Sequence, residues 1–349
     1  MKKLIQQICT TLDSGQDLVL ATVCSQSGST PRVAGAKMIV FRDGRIAGTI
    51  GGGLVEAAAI REAADCFATG VSRCHAFDLS NGDAAVTDMI CGGRMEFCLE
   101  CIRADASNRA VFGDLLAAME SGRRAVLVSP LEAHNGEQRF VVDHKGRTTA
   151  ADVSEALLAA VKQLRPSTSA ATVLEQAGQC YLVASFAVGG NLYLIGAGHV
   201  AACTAEAAAR VGFRVVVMDD RSEFANQERF PSADEIRVLP SFAGCFQGED
   251  IDRDAYLVIV TRGHLHDMEV LEQALQTGAG YIGMIGSRKK RNSIYVRLMD
   301  KGVTEAQLEQ VRCPIGLAIE ADTPEEIAVS VVGELIYQRA TGRKAWHLA

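Results

Sequence analysis

The sequence predicts an α/β chain in two parts, a mixed α+β N-terminal domain over residues 1–187 and a doubly wound parallel sheet over residues 188–349. Its 349 residues exceed what one ordinary core holds and suit two. From residue 192 onward, short apolar runs recur at 192–195, 214–218, 235–239, 256–260 and 280–285, with helical stretches between most of them. Apolar runs without alternation are what a parallel sheet covered on both faces requires. The Val188-Gly189-Gly190-Asn191 stretch lies just before this change of pattern and sets the expected boundary.

The N-terminal half is expected to begin with a helix over 2–13 and a strand over 18–24. Residues 36–41 and 45–50 flank Asp43-Gly44, a two-residue turn signal that makes them a hairpin. A helix over 54–68 should stop at Gly70, and strands follow at 94–102, 125–129 and 140–143. Residues 165–169 read as a loop.

Hydrophobic residues make up 48% of the chain, enough for sizeable cores. No apolar run reaches the roughly 18 residues of a membrane span, and the charged start lacks the apolar stretch of a secretory leader. A cytoplasmic protein with no membrane partner is expected. A net charge of -7 argues against a nucleic-acid partner bound across the surface. The eleven cysteines are odd in number and scattered, which suggests reduced thiols rather than a disulfide framework.

The sharpest local signal is Gly196-Ala197-Gly198-His199-Val200-Ala201, a G-x-G-x-x-A pattern between a strand and an alanine-rich helix. Gly196 would allow the tight turn, Gly198 would let a pyrophosphate approach, and Ala201 would let helix and strand pack closely. Asp219 lies 21 residues beyond Gly198, at the end of the second strand, where a ribose-binding acid belongs. Together these mark a Rossmann-like sheet, with NAD(P) or another nucleotide as one ligand and a fold retained without nucleotide as the other reading. Ser287-Arg288-Lys289 follows a strand and opens a helix. Cations there oppose the helix dipole, so a bound anion would relieve them. Arg262 and His264 follow the fourth strand at the same rim, with His264 a candidate ligand contact. His264-Leu265-His266 is too short a pattern to establish a metal site. Asp267 is expected to N-cap a helix starting at Met268. Thr323-Pro324-Glu325-Glu326 reads as a structural capping box.

In the first half, Ser29, Arg32 and Lys37 precede or open the hairpin, and Gly51-Gly52-Gly53 leads into a helix. A glycine run at a helix start exposes N–H groups to an anion, to which Arg32 and Lys37 would add charge; a flexible hinge is the competing reading. Cys91-Gly92-Gly93 leaves a sulfur approachable, and a soft thiolate suits molybdenum-type or sulfur-transfer chemistry. Zinc at Cys91, Cys98 and Cys101 is disfavoured, because Cys98 and Cys101 would face opposite sides of a strand.

Taken in order, GSTPRVAGAKM, GTIGGGLVEA, MICGGRMEF, LYLIGAGHVA, VVVMDDRSEFAN, VTRGHLHD, YIGMIGSRKK and CPIGLAIEADTPEEIA resemble the XdhC (XdhC/CoxI) family of xanthine dehydrogenase accessory factors. The resemblance implies a protein that binds molybdenum cofactor (molybdopterin), helps it gain its terminal sulfur and delivers it to an apo molybdenum hydroxylase of xanthine-dehydrogenase type. It implies a cofactor chaperone rather than a catalyst, with a cysteine desulfurase as a further partner. Carried onto this chain, the cofactor-binding set is Cys91, Gly92 and Gly93, with Cys91 contacting the metal. The N-terminal glycine motifs around Ser29, Arg32 and Gly51 to Gly53 join it, as do Gly196, Gly198 and His199, with Asp219 and Asp220 after them. Residues 316–320 depart from the family pattern, in which an Asp and a Gly are common near 318 and 320. The glycine run also lacks the cysteine that some relatives carry. An NAD(P)-dependent oxidoreductase with His264 or His199 as proton donor is the alternative, although no substrate-side acid and base stand out. A homodimer is the default assembly.

Overall fold

The computed structural model describes residues 1–28, 34–78, 93–131, 138–143, 145–150, 152–164, 171–186 and 189–341. The chain divides into two compact units, Met1–Ala187 and Val188–Ala349.

In the first unit, α1 (Lys2–Asp13) leads into β1 (Leu18–Ser27), β2 (Lys37–Phe41), β3 (Ile46–Gly48), α2 (Gly53–Thr69), β4 (Arg73–Asp78) and β5 (Arg94–Ile102). These strands form an antiparallel sheet in the order β3-β2-β1-β5-β4. Alternation decides its faces. Val19, Ala21, Val23, Met38, Val40, Phe97 and Leu99 pack with Val55, Ala59, Ala63 and Cys66 of α2. The helix stops at Gly70, a left-handed cap whose amide bonds the Cys66 carbonyl at 2.8 Å. The hairpin between β2 and β3 differs from expectation by one residue. Phe41 bonds Arg45, so Arg42, Asp43 and Gly44 form a three-residue loop, and Asp43 Oδ1 accepts the Arg45 amide.

A second antiparallel sheet, β7-β6-β9-β8, follows α3 (Ala106–Glu120) and is built from β6 (Ala125–Pro130), β7 (Phe140–Asp143), β8 (Ala171–Gln176) and β9 (Gln179–Phe186). Helix α4 (Glu155–Gln163) lays Leu157 and Val161 on it. Helices α3 and α4 and strands β4, β8 and β9 carry weak local signals in the sequence and add to the expected elements. The β8–β9 turn shows why: it is a two-residue turn with Ala177 and Gly178 both at positive φ, 53° and 76°, and it lacks the usual Asn-Gly signature. The expected loop at 165–169 lies outside the described residues.

The second unit is the expected doubly wound sheet. Its strands are β10 (Asn191–Ile195), β11 (Arg214–Asp219), β12 (Glu235–Val238), β13 (Ala255–Ile259), β14 (Tyr281–Met284) and β15 (Val311–Arg312). All pair in parallel, in the order β12-β11-β10-β13-β14-β15. Helices α5 (His199–Arg210) and α9 (Pro324–Thr341) cover one face. Helices α6 (His264–Ala274) and α7 (Arg288–Asp300) cover the other, and the short α8 (Glu305–Leu308) leads into β15. The strand order reverses between β10 and β13, which opens the crevice where such sheets take ligands. The capping box of α9 forms as expected, with the Glu326 amide on Thr323 Oγ1 and the Thr323 amide on Glu326 Oε2. Among the described residues, no helix is long and apolar enough to cross a membrane.

Candidate functional site

At the reversal point, the loop after β10 is held from within the protein. Gly196 has φ 118°, its amide bonds the Met218 carbonyl at 2.7 Å, and a Cβ there would run into the Val260 backbone. Gly198 is different. Its φ of −77° suits any residue, and a Cβ would meet nothing within 4 Å. It N-caps α5 without a side chain, so the first N–H groups of that helix have no side-chain acceptor, and the exposed His199 follows it. Gly263, which N-caps α6 next to the exposed His264, repeats this arrangement: extended backbone, no side-chain cap and nothing within 4 Å. Glycine at both positions is required by neither backbone nor neighbours, which leaves room for a ligand against two helix N-termini.

The acid expected at a ribose faces inward instead. Asp219 is fully buried, and its Oδ2 accepts the Ala197 amide at 2.8 Å. Oδ1 accepts the Arg221 amide at 3.0 Å, and the Arg221 guanidinium closes a bidentate pair at 2.9 and 3.0 Å. That guanidinium lies 3.8 Å from the Phe224 ring centroid. Asp220, next along the chain, pairs with Arg262 through both carboxylate oxygens. Arg262 holds the Asp220 carboxyl below its ordinary range.

Asp267 is not the N-cap of its helix. Helix α6 begins at His264, four residues before the expected start at Met268, because Gly263 takes the cap position. Asp267 is buried inside the helix, accepts from Thr261 Oγ1 at 2.7 Å and forms an ion pair with Lys290. Lys290 also donates to the Ile285 carbonyl at 3.1 Å. This triad joins the ends of β13 and β14 to α6 and α7. It uses Lys290 of the basic run and leaves Arg288 and Lys289 exposed, with no ion pair among the described residues. Ser287 caps α7 through its hydroxyl, which accepts the Lys290 amide at 3.2 Å. Strand order therefore gathers Gly196, Gly198, His199, Asp220, Arg262, His264, Ser287, Arg288 and Lys289 along one rim.

In the first unit, the glycine run carries its own anion. Glu56 Oε1 accepts the Gly52 amide at 3.0 Å and the Thr49 hydroxyl at 2.5 Å, so a carboxylate of the chain sits at the N-terminus of α2, beside Gly51 and Gly53. The Lys37 carbonyl accepts the Thr49 amide at 3.0 Å, but its side chain takes no part in that loop. Its neighbour Met38 faces α2, and alternation turns Lys37 to the opposite face, where its ammonium lies 4.9 Å from the Phe186 ring centroid. Burial holds the Lys37 ammonium down to about 8, with Glu100 acting against that shift. Ser29, Arg32, Cys91 and Gly92 lie outside the described residues; Gly93 is buried just before β5.

The expectation of reduced thiols is corrected at one place. Cys74 and Cys98, register partners on β4 and β5, form a disulfide. Sequence spacing carried no sign of it, since only strand pairing brings them together. Among the described residues, no group of three or more His, Cys, Asp or Glu could hold a metal. Two further residues escaped notice. Arg221 anchors Asp219, and Glu334, buried on α9, accepts from Tyr281 Oη at 2.7 Å and the Gly316 amide at 2.9 Å. The available signal for Glu334 was a lone acid within the apolar run 331–335.

A parallel sheet with a glycine loop at its reversal point defines a Rossmann-type unit, preceded here by a separate α+β unit. Both parts match one family: residues 192–335 match the XdhC Rossmann domain, and residues 11–78 match the XdhC and CoxI family. The chain belongs to the XdhC and CoxI family. It is 26% identical over 317 residues to the uncharacterized protein YqeB of Escherichia coli K12, covering 91% of this chain and 42% of that protein. It therefore spans less than half the length of that relative. Over 328 residues it is 26% identical to a protein of Bacillus subtilis 168 described as a probable subunit of xanthine dehydrogenase, covering 94% and 95% of the two chains. It is 24% identical over 331 residues to the molybdenum cofactor insertion chaperone PaoD of E. coli K12, covering 93% and 84%. A crystal structure described as a xanthine dehydrogenase from Bacillus halodurans superposes with a TM-score of 0.71 at 25% identity, covering 97% and 96%.

Proposed function

We propose that this protein is an accessory factor that binds molybdenum cofactor and delivers it to an apo molybdenum hydroxylase of xanthine-dehydrogenase type. In this reading the cofactor is cargo, taken up and released in the cytoplasm by a homodimer. Sulfuration occurs while it is bound, with a cysteine desulfurase as sulfur source. Two relatives support this reading, one named as a probable subunit of xanthine dehydrogenase and the other as a cofactor insertion chaperone.

The observation that carries it is the pair of open glycine caps, Gly198 and Gly263, on one rim with Arg288 and Lys289, which form no ion pair among the described residues. Backbone N–H groups and available cations bind a phosphate without enclosing it, as reversible transfer requires. Ser287, His199 and His264 would border that phosphate, and Arg262 would join once released from Asp220. On the first unit, Cys91 with Gly92 and Gly93 would offer sulfur to the molybdenum. The NAD(P)-dependent oxidoreductase reading has the glycine loop in its favour. Against it, Asp219 is buried and bonded to the loop itself, so it presents nothing to a ribose.

The test is anaerobic purification from a host that makes the cofactor, followed by molybdenum content and pterin fluorescence of wild type, Cys91→Ala and Gly198→Val. Molybdenum and pterin should copurify with wild type. Gly198→Val should lose both, and Cys91→Ala should lose molybdenum retention. Wild-type protein that stays empty yet shifts NADH fluorescence would replace this reading with the dehydrogenase.

A further inference from the structure

Three cysteines of the first unit meet at β5. Cys98 is bonded to Cys74 on one side, and on the other the Cys24 thiol lies 3.1 Å from the Cys98 sulfur. A β-bulge brings Cys24 there. The β1–β5 register passes from Val23 opposite Phe97 to Ser25 opposite Glu96, which leaves Cys24 as the extra residue. Bulges re-aim a side chain in this way. Cys24 and Cys98 are buried, whereas Cys74 is exposed on the edge strand β4. There it lines a cavity of about 1320 Å³ together with Arg73, His75 and Arg103. The proposed cofactor reading uses none of the three cysteines.

We propose that Cys24, Cys98 and Cys74 form a thiol–disulfide relay in which Cys98 is the shared sulfur. Cys24 gives its proton to solvent, and its thiolate attacks the Cys98 sulfur. The Cys24–Cys98 bond forms as the Cys98–Cys74 bond breaks, and the electron pair leaves on Cys74, which takes a proton from solvent. One thiol and one disulfide stand on each side, so no oxidant or reductant is consumed. The exchange converts a buried thiol into an exposed one lining a cavity that holds Arg73, Arg103 and Arg139 as well as the acids Glu96 and Asp105. Cys74 thereby becomes a modification site for thiol-reactive small molecules, and Cys24 controls its release.

The test uses the full chain purified without reductant and incubated with N-ethylmaleimide at about pH 8; burial pushes the Cys24 thiol up to about 12, so a small thiolate fraction drives the exchange and labelling is followed over hours. Peptides are then mapped by non-reducing mass spectrometry. Label should accumulate on Cys74 while Cys24–Cys98-linked peptides appear, and Cys24→Ser should abolish both and keep Cys74 bonded to Cys98. Should Cys24→Ser fail to fold, the wild-type map decides alone, because the Cys24–Cys98 peptide is itself the product. An intact Cys74–Cys98 bond with no label on Cys74 overturns the relay. Three free thiols in the purified protein, or equal labelling of Cys74 in Cys24→Ser, overturns it as well.

Discussion

The Ala197 amide donates to the buried carboxylate of Asp219 at 2.8 Å, tying the glycine loop after β10 to the end of β11. The acid thus acts as a brace inside the protein. Asp219→Ala leaves that amide and the Arg221 guanidinium without their acceptor, and should destabilise the fold by about 2–4 kcal/mol. Urea denaturation measures this directly. Stability within experimental error of wild type, together with lost nucleotide binding, would instead make Asp219 a ligand residue.

The two glycines of the loop should separate stability from binding. Gly196→Ala forces a Cβ against the Val260 backbone at φ 118° and should cost more than about 2 kcal/mol. Gly198→Ala meets neither problem and should cost less than about 1 kcal/mol while weakening phosphate binding. Comparable losses of stability in the two variants would show that Gly198 is structural.

Buried Lys37 should leave a mark in alkaline solution. Its ammonium is held down to about 8, against about 10.4 in the unfolded chain. Between these values the unfolded state binds more protons, so this residue's destabilising effect is complete below about pH 8 and fades as pH rises towards 10.4. The recovered stability is on the order of 2–3 kcal/mol. Denaturation at several pH values, as the difference between wild type and Lys37→Met, isolates this effect from other groups titrating there. A difference that stays flat across the window contradicts it.

Arg262 is restrained by Asp220, which competes with any anion at the rim. Asp220→Ala should free the guanidinium and tighten pyrophosphate binding by roughly 3–10-fold, because the pair is partly exposed and its own attraction is modest. Calorimetric titration reads the change, and unaltered or weaker binding would place Arg262 outside the anion site.

The sequence by itself determined the sheet class, the glycine loop, the stop of α2 at Gly70 and the capping box of α9. Each depends on residues close along the chain, where periodicity, φ preference and cap chemistry act locally. The parallel sheet was legible because burial on both faces demands continuous apolar strands such as those at 192–195 and 256–260. Tertiary structure alone decided which way the polar groups turn. Asp219 faces its own loop because Arg221 and the Ala197 amide surround it, and Asp267 lies inside α6 because Lys290 arrives from another helix. Lys37 faces away from the glycine run because strand alternation places Met38 against α2. Cys24 and Cys98, 74 residues apart, meet only through strand register and a bulge. Such encounters depend on three-dimensional packing between distant segments, for which residue spacing carries no signal.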